Sequence, residues 1–241
     1  MRNIKDILKF RRDLSPFLVH LTRDSGSRSA KEVFEKILGE KRLIAGDDEV
    51  SDARFGASSV SDRARFFRAV CFTETPLDEI HCLLDINNRA VNLQPYGLVF
   101  VKKRLQLKCV SPVVYIQNCN GDKNPLFRAL CSMIKDHADE AARFLPLISV
   151  FGDKVQPTNA SFAITGDVDF SWEREWRQVF EETPMEFSND DIFVGVCPDG
   201  EIKYFEDQYN LPFVDPRMNM KWYATKLIEA RKKHKMKCSV V

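Results

Sequence analysis

The feature that most constrains this chain is a set of short apolar runs, each only three to five residues long, scattered among helical patterns without a regular strand-helix-strand repeat. Runs of that length suit strands, and their irregular spacing argues against a doubly wound parallel sheet and for an α+β fold. The apolar runs at 17–19, 69–72, 97–101, 113–116 and 192–196 predict strands, with further extended pieces at 43–45, 147–151 and 176–180. Val33, Phe34, Ile37 and Leu38 recur at helical spacing, predicting a helix from Ser29 to Leu38 that Gly39 ends. Thr73, Glu74, Thr75 and Pro76 predict the end of one strand and the cap of a helix carrying Leu77, Ile80, Leu83 and Leu84. Basic turns around Lys102, Lys103 and Arg104, and stretches at 3–12, 125–137, 139–144 and 221–233, are also expected to be helical.

Composition bounds the class. With 241 residues, 44% of them hydrophobic and 29% charged, the chain can form a core and stay in solution, and a single domain over 1–241 is expected. No run of 18 apolar residues is present and the first dozen residues are basic, so a cytosolic, non-membrane protein is expected. Seven cysteines stand scattered, with no C-x-x-C pair and none read as lying beside a histidine at ligand spacing, so neither disulfides nor a metal is expected. Net charge is +1, yet nine acidic residues face one lysine between Glu181 and Asp207, while seven basic residues face one glutamate from Lys221 onward. Residues 218–241 therefore read as a C-terminal helix with a basic tail.

Residues 46–68 are polar and aperiodic, the signature of a functional loop. They hold Arg54, Arg63, Arg65 and Arg68, interleaved with Phe55, Phe66 and Phe67. Arginine can fork onto a pyrophosphate and phenylalanine can stack on a base, while ordinary loop surface explains each residue singly.

Four patterns follow one another along the chain: FLVHLTR at 17–23, VCFTETPLDEIH at 70–81, YGLVFVKKRL with SPVVYI at 96–116, and WEREWR at 172–177. Together they resemble the AbiGi family of bacterial abortive-infection proteins. Their order is similar to that of DarT-type ADP-ribosyltransferases, in which a strand bearing H-x-T, a strand bearing a C-F-T-E-like run and a late strand opening with Glu succeed one another. The resemblance implies an ADP-ribosyltransferase-like mixed sheet with flanking helices. It also implies an NAD-dependent toxin or effector of phage defence that transfers ADP-ribose to RNA or DNA, restrained by a cognate antitoxin or chaperone. On that footing Glu175 is the catalytic carboxylate, and NAD is held by His20, Thr22, Thr73, Arg63, Arg65 and Arg177, without metal.

The chemistry suits such residues. Breaking the nicotinamide-ribose bond passes through an oxocarbenium-like state, and a carboxylate on a rigid strand can stabilise charge that develops only there. Alternation places Glu173, Glu175 and Arg177 on one strand face and Trp176 and Gln178 on the other. An ion pair with no catalytic role fits the same string, His20 equally suits a buried, backbone-satisfied imidazole, and capping alone explains Thr73 and Glu74. A non-catalytic antitoxin or interaction module that retains the fold is the alternative.

Overall fold

The computed structural model describes residues 11, 13–47, 68–84, 86, 91–117, 124–151, 170–179 and 184–236. Strand β1 (Phe17–Leu21) is followed by α1 (Ala30–Glu40), β2 (Arg42–Leu43), β3 (Gly46–Asp47) and β4 (Arg68–Thr73). A 3-10 helix (Leu77–Leu83) leads to β5 (Gly97–Val101), α2 (Lys102–Gln106), β6 (Ser111–Pro112) and β7 (Val114–Gln117). Next come α3 (Pro125–Asp136), α4 (Ala138–Phe144), a 3-10 turn (Leu145–Leu147) and β8 (Ile148–Phe151). A second such turn (Phe170–Glu173) precedes β9 (Glu175–Gln178), β10 (Met185–Glu186) and β11 (Ile192–Val196). The last elements are α5 (Ile202–Tyr209), β12 (Phe213–Val214) and α6 (Ala224–Lys233).

Eight strands form one mixed sheet in the order β12-β11-β5-β1-β4-β9-β6, with β3 also on β4. Within it β11 and β12 run parallel, whereas β1, β4, β5, β9 and β11 pair with their neighbours antiparallel. The α+β class expected from the irregular spacing of apolar runs is what the chain adopts.

The centre of the sheet is buried on both faces, which is why β5 (GLVFV) and β11 (IFVGV) are continuous apolar runs and not alternating ones. Leu18, Leu98, Phe100, Val70, Phe72 and Trp176 face one way, onto Phe34 and Leu38 of α1 and onto Phe205 and Phe213. Phe17, Val19, Leu21, Val99, Val194 and Val196 face the other way, onto Ile80 and Leu83 of the 3-10 helix and onto Tyr223 and Ala230. A separate cluster forms where the parallel pair β7-β8 meets α3 and α4, around Ile116, Phe127, Leu130, Leu145 and Val150.

Helix α1 begins where its capping signal stands. Ser29 accepts from the Glu32 N–H while Glu32 reaches back to the Ser29 N–H, a reciprocal cap whose loss costs about 1 kcal/mol. Its end differs from the expectation: the helix runs through Gly39, and Lys41 closes it in the left-handed region (φ 54°) with its N–H on Ile37. The glycine was a misleading stop because an exposed helix surface tolerates it. A second difference concerns Thr73–Pro76. The 3-10 helix that follows has no side-chain cap, Thr73 still belongs to β4, and Glu74 is buried in another role described below. Glu173 also leaves the expected strand, because it ends a 3-10 turn and Arg174 reverses the chain with φ 47° before β9 begins. Residues 3–10, most of the 46–68 loop, Phe180 and the tail from 237 lie outside the described residues.

Gly97 marks the closest backbone approach in the sheet centre. Its register partner is Leu21, and a Cβ added there would stand 2.2 Å from the His20 carbonyl oxygen. Gly39, in contrast, has open space around it. Gly97→Ala is therefore expected to destabilise the protein by roughly 1–3 kcal/mol, the cost of overpacking a filled core. Gly39→Ala is expected to stabilise it by about 0.5–1 kcal/mol through helix propensity. Urea unfolding of the two variants beside the parent measures both signs.

Candidate functional site

The site grows from a carboxylate that the sheet cannot leave to solvent. Directly after β4 the backbone of Glu74 donates to the Arg174 carbonyl at 3.0 Å, which turns its side chain under the start of β9. There Oε1 accepts from Lys102 Nζ at 2.6 Å and Oε2 accepts from the Trp176 indole N–H at 2.9 Å. The Lys102 ammonium also lies 5.4 Å from the Trp176 ring centroid, and Arg174 Nη2 stands 3.8 Å from Glu74 Oε1. Glu74 and Lys102 are both buried. Four residues from three parts of the chain thus fix the segment that presents Glu175.

Glu175 opens β9 in register with Thr73, which is in register with Val19 of β1. Its backbone N–H donates to the Tyr115 hydroxyl at 2.7 Å, and its carbonyl accepts from the Val113 N–H. The carboxylate receives a fork from Arg177, with Nε on Oε1 at 2.9 Å and Nη2 on Oε2 at 2.7 Å. The remaining arm of Arg177, Nη1, donates to the Pro146 carbonyl at 2.8 Å, tying the turn before β8 to the sheet. Arg177 is buried, whereas the Glu175 side chain keeps 14% of its surface exposed. A bidentate pair of this kind fixes orientation as well as charge.

Hydroxyls hold the backbone on either side of Glu175. Thr73 Oγ1 donates to the Glu173 carbonyl at 2.6 Å, accepts from the Thr75 N–H and lies 2.7 Å from Thr75 Oγ1. Burial pushes the Tyr115 hydroxyl well above the ordinary tyrosine range, and the nearby Glu175 and Glu173 carboxylates add to the shift, so it is a neutral phenol at physiological pH. Cys71, two residues before Thr73 and opposite Arg177, is exposed although its strand lies between β1 and β9. Cys71 is open to solvent and the Glu175 side chain partly so, while Arg177 between them is covered by the turn before β8, so this face of the sheet reaches solvent only along a narrow strip.

The residues expected to hold NAD are distributed unevenly around this strip. Thr73 and Arg177 lie beside Glu175. Strand alternation puts His20 on the opposite face, its ring 5.7 Å from that of Phe72 and its Nδ1 2.8 Å from the Cys71 carbonyl oxygen. His20 and Glu175, both expected to contact NAD, thus stand on opposite faces of the sheet, because one residue of register separates the two faces of a strand. Burial lowers the His20 pKa, partly opposed by its bond to Cys71, and the neutral ring can donate Nδ1–H to that carbonyl. Thr22 is buried, and its hydroxyl serves the carbonyls of Ala30 and Tyr96 at 3.1 and 3.0 Å, which fastens the end of β1 to α1. Arg63 and Arg65 lie outside the described residues. Arg68, at the end of that loop, has Nε 3.4 Å from the Ala45 carbonyl.

Sequence reasoning missed Tyr115, Thr75 and Lys102. Each stood within a quoted motif, but a tyrosine in VVYI or a lysine in a KKR run carries no mark of its partner 60 or 28 residues away. The capping explanation of Glu74 also hid the buried pair, since its partners come from β9 and α2.

The Glu74-Lys102 pair gives a direct test of what holds β9. Lys102→Met leaves the buried carboxylate with the Trp176 N–H and only the Arg174 guanidinium at 3.8 Å to oppose its charge, and is expected to cost up to about 3 kcal/mol. Adding Glu74→Gln in the same chain removes that charge and is expected to recover a large part of the loss. Chemical unfolding of the two variants and the parent reads the difference, and equal losses in the single and double variants would count against the pair.

No protein-family model, curated protein or solved structure matches this chain.

Proposed function

We propose that the chain is an NAD-dependent ADP-ribosyltransferase, a toxin or effector of bacterial phage defence, with Glu175 as the catalytic carboxylate. The observation that carries the proposal is the setting of Glu175: a partly exposed carboxylate at the opening of a rigid strand, oriented by the Arg177 fork, with its backbone held by the Tyr115 hydroxyl. Preorganisation of this kind is what stabilisation of a developing cation needs, since no reorientation is required as charge forms.

In the proposed reaction the bond between ribose C1′ and the nicotinamide nitrogen breaks, and its electron pair leaves with nicotinamide. Positive charge spreads over C1′ and the ring oxygen, where Glu175 opposes it while accepting from a ribose hydroxyl through lone pairs that Arg177 leaves unused. The acceptor then adds its nucleophilic atom to C1′ and gives up its proton. Nucleic acid is the proposed acceptor, on the strength of the DarT resemblance. Such an enzyme would harm its own host, so a cognate antitoxin or chaperone is proposed as its partner.

One observation favours a second reading, a non-catalytic antitoxin or interaction module built on the same fold. Both Glu175 oxygens accept from Arg177, whose other arm anchors the turn before β8, and that arrangement serves stability without any substrate. The two readings separate in one experiment. Nicotinamide release from NAD is measured for the parent, Glu175→Gln and Glu173→Gln, with thermal melts to confirm that each is folded. Catalysis predicts turnover by the parent, a loss on the order of 10²- to 10³-fold in Glu175→Gln, and a much smaller loss in Glu173→Gln, which lies off the strand. Absence of NAD turnover by the parent, alone and in its natural complex, would assign the chain to the second class.

A further inference from the structure

Away from Glu175, the 3-10 helix Leu77–Leu83 brings three unlike donor side chains together. Glu79, His81 and Cys82 are all exposed, and one ligand atom from each lies within 4.8 Å of the others. The sequence was read as having no cysteine beside a histidine at ligand spacing, which overlooked that His81 and Cys82 are adjacent, and a 3-10 helix eclipses positions three apart. Glu79 and Cys82 are three apart and share a face, as do Ile80 and Leu83, which are buried in the core and hold the turn from beneath.

The separations are informative. Cys82 Sγ lies 3.5 Å from His81 Nε2 and 3.6 Å from Glu79 Oε2. A zinc-class ion with a metal-sulfur bond near 2.3 Å and metal-nitrogen and metal-oxygen bonds of about 2.0–2.1 Å, at tetrahedral angles, places sulfur about 3.5–3.6 Å from the other two donors. Both short contacts converge on the sulfur. A nucleophile-base relay would instead run in sequence, with the carboxylate on the far side of the imidazole from the thiol. Sulfur, nitrogen and oxygen donors in one set suit a borderline-soft divalent cation and disfavour magnesium or calcium, which take oxygen.

We propose that Glu79, His81 and Cys82 form a three-ligand site for a zinc-class divalent cation, with water completing a tetrahedron. On binding, the Cys82 thiol releases its proton to solvent as the metal-sulfur bond forms, and no redox change is involved. The site lies at the surface and does not depend on the NAD proposal, so either can fail without the other.

The test uses the full chain, reduced and anaerobic, titrated with cobalt(II) and then with zinc(II). A thiolate-to-cobalt charge-transfer band and intense tetrahedral d–d bands are expected to saturate at one equivalent per chain, and zinc is expected to bleach them. Cys82→Ser should abolish the charge-transfer band, and His81→Gln or Glu79→Gln should weaken binding at least tenfold. Cys71→Ser and Cys131→Ser should leave the spectrum unchanged. Because the three side chains are exposed, thermal melts of the metal-free variants should match the parent. No thiolate band in the parent at stoichiometric cobalt, or a band that persists in Cys82→Ser, would overturn the proposal.

Discussion

A buried carboxylate is costly unless its charge is matched and its lone pairs are used, and Glu74 meets that demand with the Lys102 ammonium and the Trp176 indole. Satisfying it requires the end of β4, the start of α2 and the first residues of β9 to meet at one point. Because the partners are remote in sequence, the pair acts as a registration device. It holds Trp176 inward on one face and thereby turns Glu175 and Arg177 outward to the other. The left-handed Arg174 sits between these constraints, and its side chain comes back to within 3.8 Å of the same carboxylate.

The Glu175-Arg177 fork shows how far a structural and a catalytic role can overlap. The guanidinium is buried and joins the sheet to the turn before β8, so it needs an anion beside it whatever the protein does. The carboxylate is the more exposed partner and faces the uncovered strip of β4. Partial exposure lowers the desolvation cost of the pair and also leaves the carboxylate accessible from solvent, so it is compatible with either role. His20 stands on the other face of the sheet from Glu175, its ring beside Phe72 and bonded to the Cys71 carbonyl.

Legibility in the sequence followed the range of the interactions. Local signals were read well: the capping box at Ser29, the apolar runs of β1, β4, β5 and β11, the amphipathic α3 and the opening of β9 at Glu175. Short elements defined by pairing partners were missed, such as β12, which exists because β11 lies beside it, and α5, whose buried Phe205 fills the space over β12. Shared faces within a strand could be read from alternation, as Trp176 and Gln178 show. Relations between strands could not, because they depend on register: the single step separating Val19 from His20 decided which of them looks toward Glu175. The 3-10 helix after Pro76 was legible as helical but not as 3-10, the form in which Glu79 and Cys82, three apart, eclipse one another.

The proposal that NAD binds at Glu175 is open to a direct chemical measurement at Cys71, whose side chain lies on the same face and is exposed. Alkylation by iodoacetamide, followed at each cysteine by mass spectrometry, gives its rate with and without NAD. Bound NAD is expected to slow modification of Cys71 at least severalfold and to leave the exposed Cys109 and Cys131, which lie off that strip, reacting as before. Unchanged Cys71 reactivity at saturating NAD would place the dinucleotide elsewhere or nowhere and would contradict the assignment of Glu175 to NAD chemistry.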